Sequence, residues 1–205
     1  MTRTKFHPWL FLLIVISFPV TVFAVVTWYE MNKQQLPVLN ASGHPIEQFS
    51  LTNQQGITKT TDLWNGKIVV VNFFFTHCPV VCPKMMKQLK RVEEAYDNDP
   101  KFLINSFSVD PENDNAARLG AYAKQMQIKG AWDLLTGNKQ LIYSLARKSF
   151  SVVATDGDGG PTDFIHSDKL VLIDKQKRIR GYYDGTNETE VNQLIKDIQR
   201  LKKEQ

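Results

Sequence analysis

The run Ile68-Val-Val-Val-Asn-Phe-Phe74 is almost unbroken in β-branched and aromatic residues. A strand with that pattern is covered on both faces, which points to an open α/β sheet. The run carries Thr76, His77 and Cys78 to its C-terminal edge, and Cys82 follows between Pro79 and Pro83. Beyond Pro83, Met86, Leu89, Val92 and Tyr96 recur at helical spacing, predicting a helix to about Asp97. Both thiols therefore sit at a strand-to-helix junction, where open α/β sheets place their chemistry.

On a helix, positions four apart are separated by roughly 6 Å of rise and about 40° of rotation. That fits the disulfide window of roughly 4.4 to 6.8 Å between Cα atoms. Cys78 and Cys82 can therefore form a reversible disulfide or grip a soft metal with two thiolates. They can also be buried apolar cysteines, but two prolines and a hydroxyl around a strand end are poor core material. Met85 and Met86 offer thioether sulfur, although core packing is the ordinary role of Met on such a helix. His77 adjoins Cys78 and points elsewhere on a regular backbone, an outer position at most. With both cysteines in one motif, no structural disulfide framework is available.

From Phe6 to Tyr29 there is no Asp, Glu, Lys or Arg, and Trp9 to Tyr29 alone is 21 residues. As a helix this spans roughly 31 Å, the thickness of a bilayer core. The expectation is a single transmembrane helix with Trp9, Trp28 and Tyr29 at its ends. Arg3 and Lys5 hold its N-terminus in the cytoplasm, so the remainder lies on the periplasmic, extracytoplasmic side of the inner membrane. A cleaved signal peptide would have a shorter apolar region and an A-x-A site. Pro19 is tolerated in such a helix. Lys plus Arg number 25 against 21 Asp plus Glu, and without Arg3 and Lys5 the count is 23 against 21. That balance argues against a nucleic-acid partner.

The expected organisation is an anchor over 1–29, a tether over 30–46 containing His44, and a folded domain over 47–205. Phe49 to Leu51 and Ile57 to Thr61 flank a turn and predict a short hairpin. Phe102 to Val109 predicts a strand, followed by a helix with Leu119, Ala123 and Met126 inward. Asp110, at that strand's end, is expected to cap the helix or to stand behind the cysteines. Trp132, Leu134 and Leu135 read as core, and Leu141, Ile142 and Leu145 as one face of a short helix. Ser151 to Ala154 reads as an edge strand, and Asp156 to Gly160 as a hairpin tip, lacking the ligand spacing of a calcium loop. Lys169 to Asp174 and Arg178 to Tyr183 predict a hairpin, and Asn187 caps a last helix with Val191, Leu194, Ile195, Ile198 and Leu201 inward.

This order matches a thioredoxin-like fold, a central mixed sheet flanked by helices, here with an N-terminal transmembrane helix. The domain resembles the Sco/SenC family of copper-binding assembly factors for cytochrome c oxidase. The stretches that carry the resemblance are Phe75-Thr-His-Cys-Pro-Val-Val-Cys-Pro83, Ser108-Val-Asp-Pro111 with Ala121-Tyr122, Leu135-Thr-Gly137, and Asp163-Phe-Ile-His-Ser167 before Leu172-Ile-Asp174. One departure is Val80, where many members carry an acidic residue.

The resemblance implies copper, as Cu(I), Cu(II) or both, held by Cys78, Cys82 and His166. Thiolates suit the cuprous ion and imidazole suits either state. It also implies delivery to the copper-bearing subunit of cytochrome c oxidase, with an upstream copper donor or thiol reductase as a further partner. A helix start just after the thiols is expected to lower their pKa values, and their pairing would remove two ligands at once. The rival reading is an enzyme, a membrane-bound thiol-disulfide reductase with Cys78 and Cys82 as its redox pair. Against it stands CxxxC in place of CxxC. A peroxiredoxin is disfavoured because neither cysteine lies in a PxxxTxxC arrangement.

Overall fold

The structure is a computed structural model that describes residues 8–33, 35–39, 45–152 and 167–204. It divides into two units, Met1–Gln35 and Leu36–Gln205. The first contains helix α1 (Pro8–Lys33), 26 residues that continue through Pro19. Over the described residues no helix is long and apolar enough to cross a membrane. The side chains of α1 described without a break are those of 13–28, and every one is exposed. The helix itself runs past Tyr29, into what the sequence assigned to the tether.

The second unit is built on a seven-stranded sheet. In chain order its elements are β1 (Ser50–Asn53), β2 (Thr58–Thr60), a 3-10 turn (Thr61–Trp64), β3 (Ile68–Phe74), α2 (Val81–Tyr96), β4 (Phe102–Ser108), α3 (Ala116–Gln125), β5 (Trp132–Thr136), α4 (Lys139–Ser144), β6 (Lys169–Ile173), β7 (Ile179–Asp184) and α5 (Glu188–Lys203). The spatial order is β2-β1-β5-β4-β3-β6-β7. Strands β3, β4 and β5 run parallel, while β6 pairs antiparallel with β3 and β1 antiparallel with β5. This is the expected mixed sheet.

Strand β3 explains the layering. All seven of its residues are buried, and successive side chains enter opposite cores, as the two-residue period of a strand requires. Ile68, Val70 and Phe74 pack with Met86, Leu89 and Val92 of α2 and with Leu194 and Ile198 of α5. Val69, Val71 and Phe73 pack with Trp64, Ile142, Leu145 and Phe150 on the other side. After Ser144 the α4 helix widens through Leu145–Ser149, and the N–H of Phe150 donates to the Leu145 carbonyl at 2.9 Å.

Several expectations change. Helix α2 begins at Val81, so Cys82 lies inside it rather than before it. Residues 132–136, read only as core, form a parallel strand beside β4. The cap of α3 is Asn115, whose side chain accepts from the Arg118 N–H, and not Asp110. Asp110 instead closes a turn, its carboxylate accepting from the Asn113 amide at 3.0 Å. Ser151 and Val152 carry no strand. The rest of that expected edge strand, the Asp156–Gly160 tip, His44 and His166 lie outside the described residues.

Residues 36–39, within the stretch assigned to the tether, belong to the second unit and bond within it. The buried Arg180 guanidinium donates to the carbonyls of Leu36 and Pro37, to Asp174 at 2.9 Å and to Glu204 at 2.6 Å. The Glu204 carboxylate in turn accepts from the Leu36 N–H, and the Ile179 carbonyl accepts from Leu39. Burial pushes the Asp174 carboxyl upward. Donation from the Arg178 N–H, Arg180 and Arg178 outweighs this and holds it below its ordinary value of 3.8. The stability this carboxylate contributes is therefore present above that value and is lost as pH falls through the lower folded one. Replacing Arg180 by Met removes one of the two guanidinium groups that bond Asp174 and is expected to cost about 3 kcal/mol at pH 7 by urea unfolding. The deficit shrinks below about pH 4, where carboxyl groups protonate; an equal loss at every pH would show that the ion pair is not the cause.

Candidate functional site

Two loops leave the C-terminal edge of the sheet side by side, because β3 and β4 are parallel and in register to Phe74 and Ser108. The Val109 N–H continues the ladder to the Phe74 carbonyl at 2.9 Å. The first loop carries Cys78 and the second carries Asp114. Cys78 is half-buried, Cys82 is 5% exposed, and neither is in a disulfide. The Cys82 N–H donates to the Cys78 sulfur at 3.3 Å, so the first thiol sits on the unsatisfied amides that open α2.

The two thiols are unequal. Burial pulls Cys78 upward, but donation from the Cys82 N–H and thiol, with the Val80 and Val81 N–H groups, holds it below its ordinary value of 9.0. Burial pushes Cys82 up to about 12, helped by its bond to Cys78 and by the negative charges of Cys78 and Asp114. The expectation that the helix start lowers both values therefore holds for Cys78 alone. Cys82, one turn further in, has left the free amides and entered the core beside Met85 and Met86. Those methionines are fully buried, and Met85 accepts from the Asn72 amide at 3.9 Å. They are packing, as expected.

Asp114, which the sequence did not single out, is fully buried. Its carboxylate accepts from the Thr76 N–H at 3.0 Å, from the Thr76 hydroxyl, and from the Ser108 hydroxyl at 2.6 Å. Arg118 donates to the Thr76 oxygen at 2.8 Å and touches the His77 ring nitrogen, which must accept because guanidinium only donates. His77 thus faces Arg118. Tyr122 packs on Phe74 with ring centres 5.7 Å apart, and burial, then the charges of Cys82, Cys78 and Asp114, push its hydroxyl up to about 12.

The thiols open into a cleft of about 440 Å³ lined by Phe75, Cys78, Pro79, Val80, Cys82, Ser167 and Asp168, among others. Ser167 and Asp168 lead into β6, and the antiparallel register returns that strand's start to the cysteine edge. The Asp168 carbonyl is fixed there by the Gly185 N–H at 2.7 Å. The residue before Ser167 is His166, which lies outside the described residues. Among those described, no three His, Cys, Asp or Glu side chains come together as a metal-binding group.

The model of the SCO1/SenC family matches residues 39–203. The chain belongs to the SCO1/SenC family. Among SCO1/SenC relatives, the SCO1 protein homolog of Bacillus subtilis is 30% identical over 160 residues, which cover 76% of this chain and 81% of that one. The structure is similar to that of BsSco, described as a member of the Sco family of cytochrome c oxidase assembly proteins with a disulfide switch. The TM-score is 0.67 at 27% identity, with 79% of this chain and 95% of the other covered. It is also similar to Bradyrhizobium japonicum ScoI with copper bound, with a TM-score of 0.61 at 26% identity, covering 76% of this chain and 98% of that one. The thioredoxin-like reading of the domain accords with these SCO1/SenC structures.

The inequality of the thiols has a direct readout. In the reduced, metal-free chain, substoichiometric iodoacetamide is expected to label Cys78 ahead of Cys82, as peptide mapping by mass spectrometry would show. The rate should rise with pH through a midpoint below 9.0. Equal labelling, or Cys82 first, would contradict the assignment.

Proposed function

We propose that this SCO1/SenC protein binds copper through Cys78, Cys82 and His166 and passes it to the copper-bearing subunit of cytochrome c oxidase. The observation that carries the reading is the cleft. Its lining includes two free cysteines, the Cys78 sulfur accepting from the Cys82 N–H at 3.3 Å, together with the two residues that follow His166 in sequence. The donor set suits copper: two thiolates favour Cu(I), and an imidazole serves both oxidation states. Copper bound to a SCO1/SenC relative, and the assignment of another to oxidase assembly, support the same reading.

Helix α1 serves as a single-pass anchor in this proposal. Its 26 residues extend about 39 Å, and the charge-free stretch from Phe6 to Tyr29 supplies the apolar length. Arg3 and Lys5 leave the copper site outside the cytoplasm, facing the partner that needs the metal.

A second reading is favoured by the unequal thiols. An accessible Cys78 with a lowered pKa beside a buried Cys82 suits attack on a disulfide followed by resolution, so the protein would act as a thiol-disulfide reductase on the oxidase subunit's metal-binding cysteines. The disulfide switch described for BsSco accords with either reading, since pairing Cys78 with Cys82 withdraws two of three copper ligands.

Copper titration separates the two. The reduced full-length chain in detergent should bind one equivalent of Cu(I). Cys78→Ser and Cys82→Ser should each lower the affinity by at least about a hundredfold, and His166→Ala by about tenfold or more. Undiminished affinity in His166→Ala would remove that ligand from the proposal. Turnover of an oxidase-subunit disulfide by a chain that binds no copper would favour the reductase.

A further inference from the structure

We propose that Asp114 is a positioning residue that sets how readily Cys78 and Cys82 pair. The proposal rests on the reading of these cysteines as the working pair, and not on copper. Between the end of β3 and the start of α2, residues 75–80 have no regular backbone ladder. Within that loop the Cys78 N–H reaches the Phe75 carbonyl at 3.3 Å. The firmer attachments come through Thr76, whose N–H and hydroxyl both donate to Asp114.

Asp114 is equipped for this role and for little else. It is fully buried, and its two oxygens accept three donors from two segments, Thr76 in the cysteine loop and Ser108 at the end of β4. Arg118 closes the arrangement by donating to the Thr76 oxygen while lying 3.7 Å from the carboxylate. The second loop is itself fixed, because the Asp114 N–H donates to the Asp110 carbonyl at 2.8 Å. The cysteine loop is thus tied to a rigid neighbour two residues before the accessible thiol.

Pairing depends on that tie. Forming the disulfide joins the two sulfurs and releases two electrons and two protons, which oxidised glutathione takes up to give two molecules of reduced glutathione. In the tied loop the Cys78 sulfur already lies over the Cys82 amide, so little freedom is lost when the bond forms. In an untied loop the bond must order the loop as well, and the effective concentration of one thiol at the other falls.

The test uses the copper-free full-length chain in detergent, equilibrated with glutathione buffers, with the disulfide fraction read by alkylation and mass spectrometry. Asp114→Asn should shift the equilibrium toward the dithiol by about tenfold, equivalent to about 30 mV for a two-electron couple. Thr76→Val, which removes only the hydroxyl arm, should shift it the same way by less. Asp197→Asn is the control for lost stability: that buried carboxylate accepts from Tyr183 at 2.9 Å, remote in sequence from the cysteine loop. It should lower the melting temperature and leave the equilibrium unchanged. An Asp114→Asn equilibrium within about twofold of wild type, or an equal shift in Asp197→Asn, would overturn the proposal, and neither result depends on whether the protein binds copper.

Discussion

Burial of β3 on both faces is the constraint from which the rest of the domain follows. A strand with no side chain in water needs a core on either side and a partner along each edge. The chain supplies α2 and α5 on one face, the 3-10 turn and α4 on the other, and parallel β4 and antiparallel β6 at the edges. That pairing decides where chemistry can occur. Parallel β4 brings its following loop, with Asp114, next to the cysteine loop, while antiparallel β6 brings residues 167 and 168 back to the same edge from the far end of the sequence. Three distant segments meet at one edge of the sheet because the central strand cannot be left exposed.

The same geometry makes the two thiols different. One precedes the helix and receives its free amides, whereas the other lies in its first turn and points into the core. A helix start favours negative charge only for groups in front of it, and burial disfavours charge whatever its source. In the proposed copper site both thiols would have to be deprotonated, so copper would displace the Cys82 proton against its raised pKa. Such a site couples metal occupancy to pH and to thiol redox state through the same two atoms.

Much of this was legible in the sequence, for reasons that can be named. Strand β3 announced itself by composition and α5 by its periodicity and its Asn187 cap, which indeed accepts from Thr189 and Glu190. The start of α2 was hidden because Val80 occupies the cap position and makes no side-chain bond. Pro83, which looked like a boundary, falls in the first turn, where no amide is needed. Strand β5 is short, and Asp133 interrupts its apolar run; its carboxylate is held by Asn53 at 2.7 Å and Lys59 at 3.2 Å from the β1–β2 hairpin. Asp114 carried no periodic signal at all. Its partner Thr76 is 38 residues away, a pairing created by parallel strands and visible only once they are assembled.

The central claim is that two thiolates and one imidazole hold the metal together, and copper K-edge X-ray absorption on the Cu(I)-loaded full-length chain tests it most directly. The account predicts a first shell of two sulfur atoms from Cys78 and Cys82 and one nitrogen, with the nitrogen lost in His166→Ala. A shell of sulfur alone, unchanged by that substitution, would contradict it.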